Sequence, residues 1–240
     1  MMRIGFLIPE FPGQTHIFLW RERQALAELG IEADLISTRP PPPAIAPHSW
    51  TAEAQAQTRY LMPVGRSGLA GLGAEFLRAG PGGWGRGLRA ALAAETAGGS
   101  RARARMLAML AMAARLNRIA RERGWSHVHV HSCADSANIA MLAERLGGPG
   151  YSLTLHGPTL EGYGPNQRAK WVHARFATVI SRLLAGVVEE RLAGSTPPVI
   201  NIAPMGVDLD RIRRSIPWQP PAPGEPLRID LVPGVDVARR

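Results

Sequence analysis

Apolar positions in this chain fall into short β-type runs separated by longer stretches of helical period. Arg3 to Ile8 reads as a buried strand, followed by the loop Pro9 to Gln14. Phe18, Leu19, Ala25, Leu26 and Leu29 then recur at helical spacing, with Gln14 or Thr15 opening the helix and Gly30 ending it. Ile31 to Ser37 forms the next strand. The alternation returns downstream, with strands at Tyr151 to Leu155, Phe176 to Ile180 and Val199 to Ala203, and helices around Ile139 to Leu146 and Leu183 to Leu192. Strand and helix in strict succession predict an α/β fold, a Rossmann-like parallel sheet with helices on both faces.

Between these regions the pattern weakens. The prolines Pro40 to Pro43 can continue neither strand nor helix, so they mark an exposed connection. Ala44 to Ser100 is rich in Gly and Ala, with helix-like pieces near Leu69 to Leu77 and Gly87 to Glu95, and is otherwise unassigned. A long helix is expected from Arg101 to Arg123. Prolines dominate Ile216 to Pro226, which reads as a linker before a last strand-like run, Leu227 to Val232. The expected domain plan is 1–214, a linker at 215–226, and the start of a second domain at 227–240.

The segment HVHVHSCADSANIAMLAERLGGPGYSLTLHG carries the candidate chemistry. Two parallel strands joined by a right-handed helical crossover end on the same sheet edge, which in open α/β sheets is the edge that binds ligands. His131 and His156 close two such runs, so both imidazoles are expected to face one crevice. A single histidine there would read as a satisfied structural residue; two at equivalent places read as a site. The alternate residues His127, His129 and His131 also admit a metal reading, with His156 and Asp208 as recruits. The expectation is no metal, with His129 packed beneath the site. Cys133 is expected to be a small buried residue, a reactive thiol being the other reading.

The loop FPGQT is a candidate phosphate or sugar cradle, since Gly13 allows close backbone approach and a helix start offers N–H groups. An ordinary capped loop fits the same residues. With one glycine, no Rossmann fingerprint is present. His16, in the first turn, would face either the crevice or water.

Composition narrows the classes. The chain has 240 residues, 45% of them hydrophobic, enough for one well-buried domain plus a tail. One cysteine excludes an intrachain disulfide and fits a reducing compartment, and neither a signal-peptide pattern nor a spanning apolar stretch is visible. Cytoplasmic location is the expectation. The formal net charge is +9, with Lys170 the sole lysine, and the densest cluster is Arg101, Arg103, Arg105, Arg115, Arg118, Arg121 and Arg123. Three readings stand for it: a solvated helix face, a face resting on anionic lipid, and a nucleic-acid surface. Nucleic acid ranks last, because stacking aromatics and a binding motif are missing.

Taken in order, GFLIPEFPGQTHIFLWRERQALAELGIEADLISTR, HVHVHSCADSANIAMLAERLGGPGYSLTLHGP, FATVISRLLAGVVEERL and APMGVDLDRI resemble the amino-terminal half of group 1, GT4-type retaining glycosyltransferases. Within that family the resemblance is to the colanic-acid and exopolysaccharide branch, over roughly residues 3–214. It implies GT-B architecture, two Rossmann-like domains facing a cleft, with this half on the acceptor side. The implied activity is transfer of a hexose from a nucleotide sugar to a polysaccharide or lipid-linked acceptor at the cytoplasmic face of the membrane. By the same resemblance His131 and His156 stand beside the reacting centre, and Gly13, Gln14 and Thr15 approach the donor diphosphate in a closed two-domain form. Ser181 ends the next strand, and Gly206 to Asp208 precede the interdomain linker. The resemblance implies no cofactor and no protein-bound metal. Its partners would be a glycan or lipid-linked acceptor, a nucleotide sugar where a donor domain is supplied, and an anionic membrane surface, but no nucleic acid.

Two departures qualify it. The carboxylate that often follows the family's HG pair is displaced to Glu161, which therefore inherits no role. No two glutamates are separated by seven residues, the family's donor-binding signature, so the chain is expected to be a truncated enzyme. The alternative is a non-catalytic acceptor-binding module or a degenerate pseudoenzyme.

Overall fold

The computed structural model describes residues 1–42, 48–62 and 66–206, and of the remainder positions 209, 213–215, 217, 219, 220, 222–224 and 226. Two compact units divide the chain, Met1–Pro204 and Met205–Arg240, and the second contains no strand or helix among its described residues. Val207, Asp208 and the run Leu227 to Val232 lie outside the described residues.

The first unit is built on seven parallel strands: β1 (Met2–Glu10), β2 (Ile31–Arg39), β3 (Arg59–Tyr60), β4 (His127–Val130), β5 (Gly150–Leu155), β6 (Ala177–Val179) and β7 (Ile200–Ile202). Their order across the sheet is β3-β2-β1-β4-β5-β6-β7. The chain therefore winds outward one way from β1 and then returns to the centre to wind the other way. The point of reversal, between β1 and β4, is where such sheets open a ligand crevice.

Seven helices connect the strands: α1 (Ile17–Glu28), α2 (Thr51–Gln57), α3 (Arg66–Ala93), α4 (Gly99–Arg123), α5 (Asp135–Arg145), α6 (Gln167–Val172) and α7 (Arg182–Arg191). The two helical pieces expected around 69–95 are present within α3 as two helices separated at Gly80, which takes φ 61° and is followed by Pro81. Sequence periodicity misses α2, β3 and α6, because each is shorter than two helical turns or a full strand. Helix α1 begins at Ile17 with His16 as its unbonded cap, so neither Gln14 nor Thr15 opens it. Its buried residues are Leu19 and Trp20, while Leu29 from the expected apolar row is 77% exposed.

Period-two alternation divides the core between the two sheet faces. On β1, Ile4, Phe6 and Ile8 join Leu19, Trp20, Ala33 and Leu35 in one cluster, while Leu7 joins the larger cluster opposite. On β4, Val128 and Val130 enter that larger cluster with α4 and α5. His127 and His129 are thereby placed on the other face. Helix α5 is buried at every position from Ser136 to Ala143 and ends where Gly147 takes φ 96°.

The arginines of α4 pair with other parts of the fold while Arg101, Arg105 and Arg121 stay exposed. Arg103 donates to the carbonyls of Ala91 and Ala94, and Arg115 to that of Leu61. Arg105 pairs with Asp135, Arg121 with the buried Glu75, and Arg123 makes a two-pronged pair with Asp34. The exposed arginines fit the solvated-face reading, which does not anticipate the pairing of Arg103, Arg115 and Arg123. Asp34 also accepts from the Trp125 indole at 2.7 Å, and that ring packs against Gly5 of β1. A Cβ on Gly5 would stand 2.5 Å from the ring. Gly5→Ala is expected to lower unfolding free energy by about 1–3 kcal/mol, the usual cost of forcing a methyl into a packed core. Urea denaturation followed by tryptophan fluorescence checks it, and an unchanged midpoint would refute the packing argument.

Candidate functional site

His131 follows the last residue of β4, and its backbone N–H donates to Leu7 O at 2.9 Å, which fixes it at the β1–β4 edge. His156 stands in the equivalent place after β5. The expected convergence is present: the rings stack at 5.6 Å and 18°, with His131 Nδ1 3.3 Å from His156 Nε2. Phe6 packs on His131 at 4.1 Å and Phe18 meets His156 edge-on at 5.1 Å.

These histidines line a cavity of about 530 Å³ together with Glu10, Thr15, His16 and Tyr163, with Ile8, Phe18 and Leu19 supplying its apolar wall. His16 thus faces the crevice. Gly13 lies tight against it, since a Cβ there would stand 2.6 Å from the His16 ring. Gln14 is half-buried, and its backbone carbonyl lies 2.9 Å from His48 Nε2. The opposite rim is held by the Tyr163 hydroxyl, which donates to Gly157 O at 2.8 Å. Of the five residues the sequence places at the site, His131, His156 and Thr15 line the cavity, while Gly13 and Gln14 shape the loop behind it.

Beneath the site His129 uses both ring nitrogens, Nδ1 with Ser152 Oγ at 2.6 Å and Nε2 with Thr154 Oγ1 at 2.8 Å. His127 shares the same Ser152 hydroxyl at 2.8 Å. This packed, satisfied arrangement is the one expected of His129. Burial holds the imidazoles uncharged: His129 falls to about 3, His156 to about 4, and His131 well below its ordinary value, with neighbouring imidazoles adding to the effect. Burial lowers His16 as well. At neutral pH the crevice presents neutral rings, each able to donate one hydrogen bond and accept another.

Sequence reasoning missed Glu22. It projects from α1 so that its Oε1 lies 3.9 Å from His131 Nε2. Burial raises its carboxyl to about 7, although the side chain keeps 43% exposure. Glu22, His129 and His131 bring three candidate metal-ligand atoms within 4.8 Å of one another. A metal there would have to take one His129 nitrogen from its hydroxyl partner, and Asp208, the recruit suggested by sequence, lies outside the described residues.

Other sequence candidates have structural roles. The Ser181 hydroxyl accepts from Leu184 N at 3.1 Å and caps α7. Glu161 lies 3.5 Å from Arg191. Cys133 is fully buried and its thiol is pushed up to about 12 by that burial, which leaves it unreactive at neutral pH. Among the described residues no helix is long and apolar enough to cross a membrane.

No family model and no curated protein matches the chain. Among solved structures, a sucrose-phosphate synthase from Thermosynechococcus elongatus aligns with 88% of this chain at 14% identity and a TM-score of 0.49. Apo UGT2 of Phytolacca americana aligns with 87% at 13% identity and a TM-score of 0.44. The chain spans about half the length of each, 49% and 53% respectively.

Proposed function

We propose that this chain is the acceptor-side half of a GT-B glycosyltransferase of the retaining GT4 type, in the colanic-acid and exopolysaccharide branch. Its reaction would move a hexose from a nucleotide sugar to a polysaccharide or lipid-linked acceptor. The observation that carries the reading is the meeting of His131 and His156, 3.3 Å apart, at the reversal point of the sheet and beside the FPGQT loop.

The geometry suits the recognition of hydroxyls. Neutral imidazoles in a walled crevice can fix an acceptor hydroxyl through directional hydrogen bonds, and Phe18 and Leu19 offer apolar surface to a sugar ring's C–H faces. Such fixing contributes through orientation more than through proton transfer. The leaving diphosphate needs N–H donors or cations. The FPGQT loop and the start of α1 would supply part of these, and a second domain the rest, together with the nucleotide site. No protein-bound metal or other cofactor belongs to this proposal. A cytoplasmic site of action, peripheral to a lipid-linked acceptor, does.

The test is glycan binding by the purified chain. A panel of oligosaccharides is titrated into ¹³C/¹⁵N-histidine-labelled protein, and the expected result is saturable movement of the His16, His131 and His156 resonances. His131→Ala is expected to weaken that binding about tenfold, the loss of one buried hydrogen bond. Glycans that leave all three resonances in place, or bind His131→Ala equally well, would overturn the assignment.

A further inference from the structure

Besides His16 Nδ1, two buried ring nitrogens in the crevice have no hydrogen-bond partner among the described residues, His131 Nε2 and His156 Nδ1. They are the two ends of one line. His131 Nε2 lies 3.9 Å from Glu22 Oε1, His131 Nδ1 meets His156 Nε2 at 3.3 Å, and His156 Nδ1 is the far terminus in the crevice. The His131 side chain has no exposure, so its protons exchange through Glu22 or through His156.

A row of two neutral imidazoles has only two self-consistent arrangements of protons. When Glu22 is a carboxylate it can only accept, so His131 carries its proton on Nε2 and leaves Nδ1 bare. His156 must then donate from Nε2, and its Nδ1 is an acceptor. When Glu22 carries a proton it donates to a bare His131 Nε2. His131 Nδ1–H then donates to a bare His156 Nε2, and His156 Nδ1–H becomes a donor. One proton separates the two states: taken up at His156 Nδ1, it is balanced by the Nε2 proton of His156 passing to His131 and that of His131 passing to Glu22.

We propose that Glu22 is a positioning residue that sets the hydrogen-bond polarity of the His131–His156 pair, so that His156 offers the crevice an acceptor when Glu22 is ionised and a donor when it is protonated. A small rotation of the Glu22 side chain on α1 closes the 3.9 Å gap. The exposed part of that side chain connects the line to solvent.

The other titratable groups around the line do not compete for this role. His129, next on β4, has both nitrogens taken by Ser152 and Thr154. His16, ahead of α1, is neutral at pH 7 and is influenced by Glu10, which pairs with Arg39. On α1 itself Arg23 donates to Ala33 O and lies over the Trp20 ring. Burial alone places the Glu22 transition near neutrality, at about 7.

The consequence for acceptor binding rests on the glycosyl-transfer reading; the polarity switch does not. The test is therefore spectroscopic and uses the whole chain without ligand. Long-range ¹H–¹⁵N spectra of histidine side chains report which ring nitrogen carries the proton. From pH 6 to 8.5 both rings should stay neutral and exchange tautomer together, from Nδ1–H to Nε2–H, with a midpoint near 7 set by Glu22. Glu22→Gln should hold one pattern throughout. A wild-type spectrum with fixed tautomers across that range overturns the proposal whether or not the variant folds, and so does a wild-type-like transition in Glu22→Gln. Failure to bind glycans would refute the acceptor reading while leaving this transition in place.

Discussion

Acidification from pH 7 to pH 4.5 is expected to remove about 5 kcal/mol of folding stability, with unfolding setting in between pH 4 and 5. The cause is the group of imidazoles held neutral by burial. In the unfolded chain each titrates at about 6.5, whereas in the folded chain His156 does so at about 4, His129 at about 3, and His131 lower than its ordinary value by a wide margin. A depressed histidine contributes stability that is complete above 6.5 and is lost as pH falls toward its folded value. Each ring would cost at most about 3 kcal/mol at pH 4.5. Glu22, whose carboxyl burial raises from 4.5 to about 7, gains stability over the same interval by about one ring's worth, which with the partial exposure of His156 leaves the figure above. Urea denaturation at half-unit pH steps measures the slope. His129→Gln keeps a donor and an acceptor for Ser152 and Thr154 while removing one titration, so its slope should be shallower. Stability that stays level from pH 7 to pH 5 would show that these rings are hydrated or charged in the native state.

That cluster shows what periodicity can and cannot disclose. The alternation HVHV placed Val128 and Val130 in the core and the histidines opposite, because side chains on a strand must alternate. Crossover handedness brought His131 and His156 together for a similarly general reason. Glu22 needed knowledge of how α1 lies over β4, which no local pattern contains. A signal was nevertheless present: Thr15, Phe18, Leu19 and Glu22 stand at i, i+3, i+4 and i+7, so a carboxylate interrupts the row that faces the crevice. The pairing of the α4 arginines was missed for a related reason. Charge at helical spacing reads as surface, yet the partners of Arg103, Arg115, Arg121 and Arg123 come from α3, β2 and the loops between, outside the helix whose period was read. The loop FPGQT was legible as a tight loop, but its use of His16 as helix cap and crevice wall was not, because histidine is an uncommon cap.

Lys170 gives the second large effect, at the alkaline end. It is the one lysine of the chain and is fully buried on α6, where it donates to Cys133 O. Burial lowers it to about 8, with Cys133, Asp135 and Glu95 pulling the other way. A lysine depressed in the folded state opposes folding while charged, and that opposition is relieved as pH rises from about 8 to the unfolded value of 10.5. Stability should therefore climb by about 1.4 kcal/mol per pH unit from pH 8, toward a total of roughly 3 kcal/mol. Cys133 prevents the full gain. Its thiol is raised from 9 to about 12, so from pH 9 upward the unfolded chain loses a proton that the folded chain keeps. The two slopes are equal and opposite, which leaves the wild-type protein a rise of about 1 kcal/mol between pH 8 and 9 and then a plateau. Cys133→Ala removes the counterweight and should let stability go on rising to pH 10, where the raised Tyr151 hydroxyl begins to act against it. Lys170→Met should abolish the rise and be more stable than wild type at pH 7 by about 1–3 kcal/mol, the charged-burial cost less the hydrogen bond lost at Cys133 O. Urea midpoints of the three proteins from pH 7 to 10 decide the matter. A wild-type midpoint that falls steadily from pH 8, or a Lys170→Met variant that keeps the rise, would mean that the ammonium is paired or hydrated in the native fold.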